Sequence, residues 1–174
     1  MFGELNEARI HSGGEPEPSC TASQSFRSVS FVELRNTLSS DVDIVSSFTD
    51  QMMRFISRFR VADENNVEIE LSLREALVNA IVHGNQADPH KRVYVRCRCT
   101  ADGEVSLTIE DEGNGFEPDS VPDPTSPDNR LRTHGRGIYL IRTLMDEVCF
   151  ERGGSVVHMR KNPTGRPSAQ GRTQ

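Results

Sequence analysis

Two polar side chains four residues apart are the first candidates for chemistry in this sequence. Glu75 and Asn79 are separated by three small or apolar residues. On a helix they would project from one face, roughly 40° apart around the axis. A carboxylate can accept a proton, and a carboxamide oxygen is a neutral ligand for Mg²⁺. The pair therefore predicts proton transfer beside a bound cation, with a solvated helix face as the alternative.

A third candidate, Asp111, lies where a strand pattern ends. Apolar residues alternate along the preceding strand, and continuing the inward row by two positions reaches Asp111. Its carboxylate could accept a hydrogen bond from an exocyclic amino group such as that of adenine, which would contribute about 1.5–3 kcal/mol. Gly113 and Gly115 follow and would let the backbone approach a flat ring. A strand-end acid followed by a simple turn is the alternative.

A second pair of glycines follows a long loop. Residues 117–132 contain four prolines and few apolar side chains, which indicates a functional or disordered segment. The loop leads to Gly135-Arg136-Gly137 and then to a helical spacing of apolar residues. Free N–H groups at a helix start bind phosphate oxygens, although an ordinary helix start would also suit these glycines. Arg130 and Arg132 in the loop are candidates for contacting a γ-phosphate or a partner protein, or are solvated charges.

The surrounding elements can be predicted from hydrophobic periodicity. A capping box at Asn65 and Glu68 predicts a helix from Asn65 to His83 that carries Glu75 and Asn79. Another helix should begin near Ser40, and four strands are expected at 91–100, 105–111, 148–151 and 156–160. An earlier strand is expected within 26–38. We therefore expect one domain over residues 26–161, with flexible tails at 1–25 and 162–174.

Composition limits the classes of function. The chain has 174 residues and a net charge of −6, which argues against a nucleic-acid-binding surface. No apolar run approaches the length of a membrane span and no signal-peptide pattern opens the chain, so a cytoplasmic protein is expected. We expect its four cysteines to be reduced thiols, since their spacing fits neither a zinc site nor a redox motif: Cys20, Cys97, Cys99 and Cys149.

The order of these motifs resembles that of the GHKL ATPase and kinase superfamily. In that superfamily a helix with Glu-x-x-x-Asn is the N box, and the two glycine motifs are the glycine boxes around a Bergerat-type ATP pocket. Within that superfamily the sequence resembles the small stand-alone anti-sigma-factor serine kinases of the RsbW and SpoIIAB type. The similarity extends over about Asp41 to Lys161, and rests on Glu75-Ala76-x-x-Asn79-Ala80-x-x-His83-Gly84, Asp111-x-Gly113-x-Gly115-Phe116 and Gly135-Arg136-Gly137-Ile138-x-Leu140-Ile141.

The resemblance implies a two-layer α/β fold, in which helices cover one face of a mixed sheet, and it implies ATP and Mg²⁺ as cofactors. Glu75 would be the general base, Asn79 the Mg²⁺ ligand and Asp111 the adenine reader. The resemblance assigns six more residues to the nucleotide site: Gly113, Gly115, Gly135, Arg136, Gly137 and Ser155. The four glycines would shape the pocket and the lid, and Arg136 would contact the nucleotide. Ser155 stands where relatives often place a threonine.

The resemblance also implies partners. Such a protein sequesters a sigma factor, or phosphorylates a serine of a STAS-domain anti-anti-sigma protein, and it forms a homodimer. A non-catalytic, nucleotide-gated binding module is the alternative function. The catalytic piece of a histidine kinase is disfavoured, because no helical hairpin with a phospho-accepting histidine precedes the ATP-binding motifs.

Overall fold

A computed structural model describes residues 9–11, 30–59, 61, 63–115 and 136–163. Within these ranges lie three α-helices and six strands. The helices are α1 (Ile44–Ile56), α2 (Asp63–Val78) and α3 (Arg136–Leu144), and the strands are β1 (Arg9–His11), β2 (Phe31–Ser39), β3 (Arg92–Thr100), β4 (Val105–Asp111), β5 (Glu147–Glu151) and β6 (Val156–Lys161). The predicted long loop, Gly135 and the arginines Arg130 and Arg132 lie outside the described residues.

The strands form a single sheet in the order β1-β2-β3-β4-β6-β5. The two-layer α/β architecture predicted from the sequence is confirmed. Every neighbouring pair in this sheet is antiparallel, so the expectation of a mixed sheet is wrong in that detail. The reason is that β6 lies between β4 and β5. The two strands joined through α3 therefore run in the same direction without being neighbours.

One face of the sheet carries the core. The predicted alternation along β3 is confirmed, since Val93, Val95, Cys97 and Cys99 are at most 2 % exposed. These side chains pack against an apolar stripe of α1 and against α2. The alternate residues of β3 face the opposite side, where Tyr94 is 40 % exposed. Burial of one face explains why the register of this strand can be read from the sequence.

Helix α2 differs from its prediction at its beginning. It begins at Asp63, two residues before the predicted cap at Asn65. The Asn65 side chain instead donates a hydrogen bond to the Asn162 carbonyl at 3.1 Å, and Glu68 pairs with Lys161 at 2.5 Å. The two residues that suggest a capping box therefore tie α2 to the end of β6.

The helix also changes type within the predicted span. After Val78 the chain winds as a π-helix from Asn79 to Gly84, so the helical span reaches one residue past His83. The Asn85 N–H donates to the Ala80 carbonyl at 2.8 Å, which continues the i to i−5 pattern. Short π-helical turns within helices occur frequently at functional sites. Here the turn begins at the predicted metal ligand, Asn79.

Strand β1 lies inside the stretch predicted as an N-terminal tail, and it pairs with β2. The domain boundaries stay a prediction.

Cys97 and Cys99 are free and buried. The contact with Cys99 and burial raise the pKa of the Cys97 thiol, which keeps the thiol protonated. Cys149 is disulfide-bonded, so the expectation of reduced thiols is wrong for that residue. Spacing along the chain does not reveal which cysteines meet in space.

Candidate functional site

A cavity lies between the helical layer and the ends of β4, β5 and β6. It encloses about 330 Å³ of non-atom space, a volume that includes open solvent at its mouth. Three predicted site residues, Asn79, Asp111 and Ser155, line this one cavity. The complete lining is Ala76, Asn79, Ala80, Ile109, Asp111, Ile141, Phe150, Gly154, Ser155 and Val157.

Asp111 is the last residue of β4 and continues the inward row, as predicted. Its backbone N–H donates to the Ser155 carbonyl at 2.9 Å, which places the carboxyl beside the turn before β6. The Gly113 N–H donates to Asp111 Oδ1 at 2.8 Å. Burial raises the pKa of the Asp111 carboxyl, and the hydrogen bond from Gly113 opposes this rise. The carboxylate keeps acceptor positions for a donor from a ligand.

The first pair of glycines is required by close backbone contacts. A Cβ on Gly113 would lie 2.1 Å from the carbonyl oxygen of Gly84, at the end of the π-helix. Gly115 has a φ of +76°, and a Cβ there would lie 2.1 Å from the Gly153 carbonyl oxygen. Any larger residue would displace backbone rather than a flexible side chain. The two glycines therefore allow the chain after Asp111 to pack between the π-helical turn and the β5–β6 turn.

The beginning of α3 lies against the predicted catalytic helix. A Cβ on Gly137 would lie 2.6 Å from Glu75 Oε2 and 3.3–3.4 Å from the amide atoms of Asn79. The structure thus brings Gly137 of the second glycine motif to the side chains of Glu75, on α2, and Asn79, at the start of the π-helical turn. Arg136 is exposed at the first position of α3. Gly135 lies outside the described residues, so its predicted role at the phosphates stays a prediction.

Ser155 lies at the end of a strained turn. Arg152, Gly153 and Gly154 all have positive φ, at 49°, 62° and 88°. The Ser155 hydroxyl is buried and donates to the Arg152 carbonyl at 3.1 Å. Because a hydroxyl carries one hydrogen and two lone pairs, its oxygen can still accept a hydrogen bond from a ligand or water. Positive φ at the non-glycine Arg152 costs energy and is found most often near functional sites.

Several residues of the site were missed in the sequence. Phe150 contributes an aromatic wall to the cavity, and the alternation of apolar residues along β5 could have revealed its inward direction. Ala76 and Ala80 also line the cavity, and their small side chains leave space beside the helix for a ligand. Gly84 and Asn85 follow the predicted end of the helix at His83, and the structure shows that they contact the Asp111 loop.

The described ranges contain no group of three or more histidine, cysteine, aspartate or glutamate side chains arranged to hold a metal ion. Asn79 lines the cavity, and its side chain could provide one neutral oxygen ligand to a cation. Among the helices in the same ranges, none combines the length and the apolar composition that crossing a bilayer requires.

Comparison with known proteins identifies the family of this chain. The family model of the histidine kinase-like ATPase domain matches residues 38–161. The chain is 33 % identical over 96 residues to an anti-sigma F factor of Oceanobacillus iheyensis, an alignment that covers 54 % of this chain and 65 % of that protein.

Two further relatives align over a larger share of their length. An anti-sigma F factor of Priestia megaterium is 32 % identical over 117 residues, which cover 63 % of this chain and 78 % of the relative. One of Bacillus cytotoxicus is 34 % identical over 114 residues, covering 62 % and 76 %. The matched region contains α1 to β6, and with them the whole described cavity. The chain therefore belongs to the histidine kinase-like ATPase domain family of the GHKL superfamily, in its group of anti-sigma factor type.

Proposed function

We propose that this protein is an anti-sigma factor and an ATP-dependent serine-protein kinase that phosphorylates a STAS-domain anti-anti-sigma protein. The observation that carries the proposal is that Asn79, Asp111 and Ser155 line one cavity, with Glu75 beside Asn79 at the start of α3. Residues far apart in the sequence thus meet at one cavity, which supports the proposal. The names of the relatives support the sigma-binding half of the proposal.

The apolar part of the cavity suits a purine. Ile109, Ile141, Phe150 and Val157 supply apolar surface, and Asp111 supplies a charged acceptor at its edge. An exocyclic amino group donating to this carboxylate would exchange water for a charge-assisted hydrogen bond. A guanine base would place a carbonyl oxygen at the same point, where it would meet the carboxylate unfavourably. The arrangement therefore favours ATP over GTP.

The polar side of the cavity suits phosphates and a magnesium ion. Asn79 would provide one oxygen ligand, and the nucleotide phosphates and waters would provide the others. Magnesium bound in this way would neutralise charge that develops on the transferred phosphoryl group. Free N–H groups at the beginning of α3 would add hydrogen bonds to phosphate oxygens. Gly135, Arg136 and Gly137 are the residues proposed for this contact.

Glu75 is the proposed general base. It lies one helical turn before Asn79 and would accept the proton of a serine hydroxyl as that oxygen attacks the γ-phosphorus. The bond between the γ-phosphorus and the β,γ-bridging oxygen would break, and ADP would leave. The serine would belong to the STAS-domain partner, and the sigma factor would be the competing partner. We further propose that the protein acts as a homodimer in the cytoplasm.

Phosphate transfer tests the proposal directly. We expect label from γ-labelled ATP to appear on a cognate STAS-domain protein, and Glu75→Gln to lower the transfer rate at least 100-fold. ATP affinity should change less than threefold, because the variant keeps the size of the side chain. Exposed Glu151→Gln is the matched control. Equal transfer by wild type and Glu75→Gln would refute the assignment of the base.

A second outcome would point to the alternative function. If wild-type protein binds ATP and captures the sigma factor but transfers no phosphate over hours, the chain is a nucleotide-gated binding module. In that case Glu75→Gln should leave partner capture unchanged. Failure of wild-type protein to bind either ATP or a sigma factor would contradict both functions.

A further inference from the structure

Asn85 is a fully buried carboxamide immediately after the π-helical turn. Its side chain is 0 % exposed, and both of its polar atoms bond to backbone groups of other elements. Nδ2 donates to the Arg92 carbonyl at the beginning of β3 at 2.9 Å. Oδ1 accepts from the Glu112 N–H, just after β4, also at 2.9 Å. Asn85 therefore links the end of one helix to two strands of the sheet.

The residue before it makes an equally close contact. A Cβ on Gly84 would lie 2.3–2.4 Å from the three terminal atoms of the Asp111 side chain. The Gly84 carbonyl oxygen in turn lies 2.1 Å from the position that a Cβ on Gly113 would take. The segment Gly84-Asn85 thus packs residue by residue against the loop from Asp111 to Gly113. A small movement of this segment would move the Asp111 carboxylate.

Asn79 and Asp111, the two residues proposed to contact the nucleotide, lie on the two segments that Asn85 connects. Asn79 begins the π-helical turn that ends at Gly84, and Asp111 lies on the loop that Asn85 holds. The base and the phosphates of a nucleotide are joined covalently, so the groups that bind them must keep a fixed separation. Binding geometry of this kind is held by buried, fully hydrogen-bonded residues around the site.

We infer that Asn85 is a positioning residue for nucleotide recognition, which holds the Asp111 loop in register with the helix carrying Asn79. The inference rests on the proposed function and deepens it. Asn85 contacts the backbone rather than the ligand and acts through Asp111. The chemical class of the ligand is an adenine nucleotide, and the property set by Asn85 is the preference for adenine over guanine.

A double-mutant cycle separates positioning from general stability. Asn85→Ala should weaken ATP binding about tenfold in calorimetry and reduce the ratio of ATP to GTP affinity. In an Asp111→Asn background, Asn85→Ala should cost less than a further twofold, because the group through which it acts is already changed. Val105→Ala, a buried substitution at the opposite end of β4, should leave the ATP to GTP ratio unchanged.

Additive effects of Asn85→Ala and Asp111→Asn, or an unchanged ATP to GTP ratio in Asn85→Ala, would overturn the inference. If Asn85→Ala does not fold, the same cycle with Asn85→Ser applies, since serine keeps a hydroxyl but is too short to span both carbonyl and N–H partners. Wild-type protein that does not bind ATP would contradict the proposed function itself. Wild-type binding with an additive cycle would contradict only the role of Asn85.

Discussion

At the scale of single residues, Asp111 lowers the stability of the folded protein and is also proposed to contact the ligand. Its carboxyl is half-buried, and burial raises its pKa above the ordinary value of 3.8. A carboxyl whose pKa is raised by folding stabilises the folded state only while protonated, and this contribution is lost as the pH rises through the folded pKa. At neutral pH the ionised group therefore destabilises the ligand-free protein. Such a cost is common where a side chain is retained for binding.

Asp111→Asn should show both consequences. We expect the ligand-free variant to be more stable at pH 7 by at most about 1 kcal/mol, or roughly 2–4 °C in Tm. The amide oxygen can still accept from Gly113, so the loop should stay in place. ATP affinity should fall about 10- to 100-fold, because a charged acceptor is replaced by a neutral group.

Thermal unfolding and calorimetry check these two expectations, with exposed Asp50→Asn as the control. Lowering the pH towards the raised pKa of Asp111 should weaken ATP binding in wild type more than in the variant. An unchanged heat of ATP binding in Asp111→Asn would place the purine elsewhere.

At the scale of elements, the β5–β6 turn and the end of β4 form one packed unit. The turn contains three consecutive residues with positive φ, and its Gly153 carbonyl contacts Gly115. Gly115 is where the described part of this loop ends. The wall of the cavity near Ser155 therefore depends on the conformation of two glycine-containing segments that are about 40 residues apart in the sequence.

Two alanine substitutions should separate backbone conformation from backbone contact. Gly153→Ala should cost about 1 kcal/mol, since its φ of 62° is unfavourable but nothing lies within 4 Å of the added Cβ. Gly115→Ala should cost at least about 2 kcal/mol more, because its Cβ would overlap the Gly153 carbonyl. Chemical denaturation measures both. Equal losses of stability for the two variants would argue against the contact.

At the scale of the whole molecule, nucleotide binding should couple to folding. The cavity joins α2, α3 and the ends of three strands, so a ligand there would bind the folded chain only. ATP at 100 times its Kd should stabilise the protein by about 2.7 kcal/mol, or roughly 5–10 °C in Tm.

The dependence on magnesium identifies the role of Asn79. Magnesium should enlarge the ATP-induced shift in wild type, and Asn79→Ala should remove most of this increase while keeping part of the shift by ATP alone. Scanning calorimetry with ATP, ADP and no nucleotide, with and without Mg²⁺, measures these shifts. A magnesium effect of the same size in Asn79→Ala would show that the cation is held by other groups.

Much of this protein is determined by sequence pattern alone. Periodicity along the sequence specifies local features directly. Three such features are the inward row ending at Asp111, the alternation along β3 and the helical face shared by Glu75 and Asn79. The order of the three motifs added the family and, with it, the two-layer fold. Helix α2 was predicted as an element, although its first residue and the use of Asn65 were not.

Only the tertiary structure decided how these elements meet. Three features depend on groups that are distant in the chain. These are the antiparallel position of β6, the π-helical turn at Asn79, and the contacts of Gly84 and Asn85 with the Asp111 loop. The buried Asn85 carboxamide shows the reason. Its local sequence fits a helix end, but its two hydrogen-bond partners lie 7 and 27 residues away and are known only once the sheet is assembled.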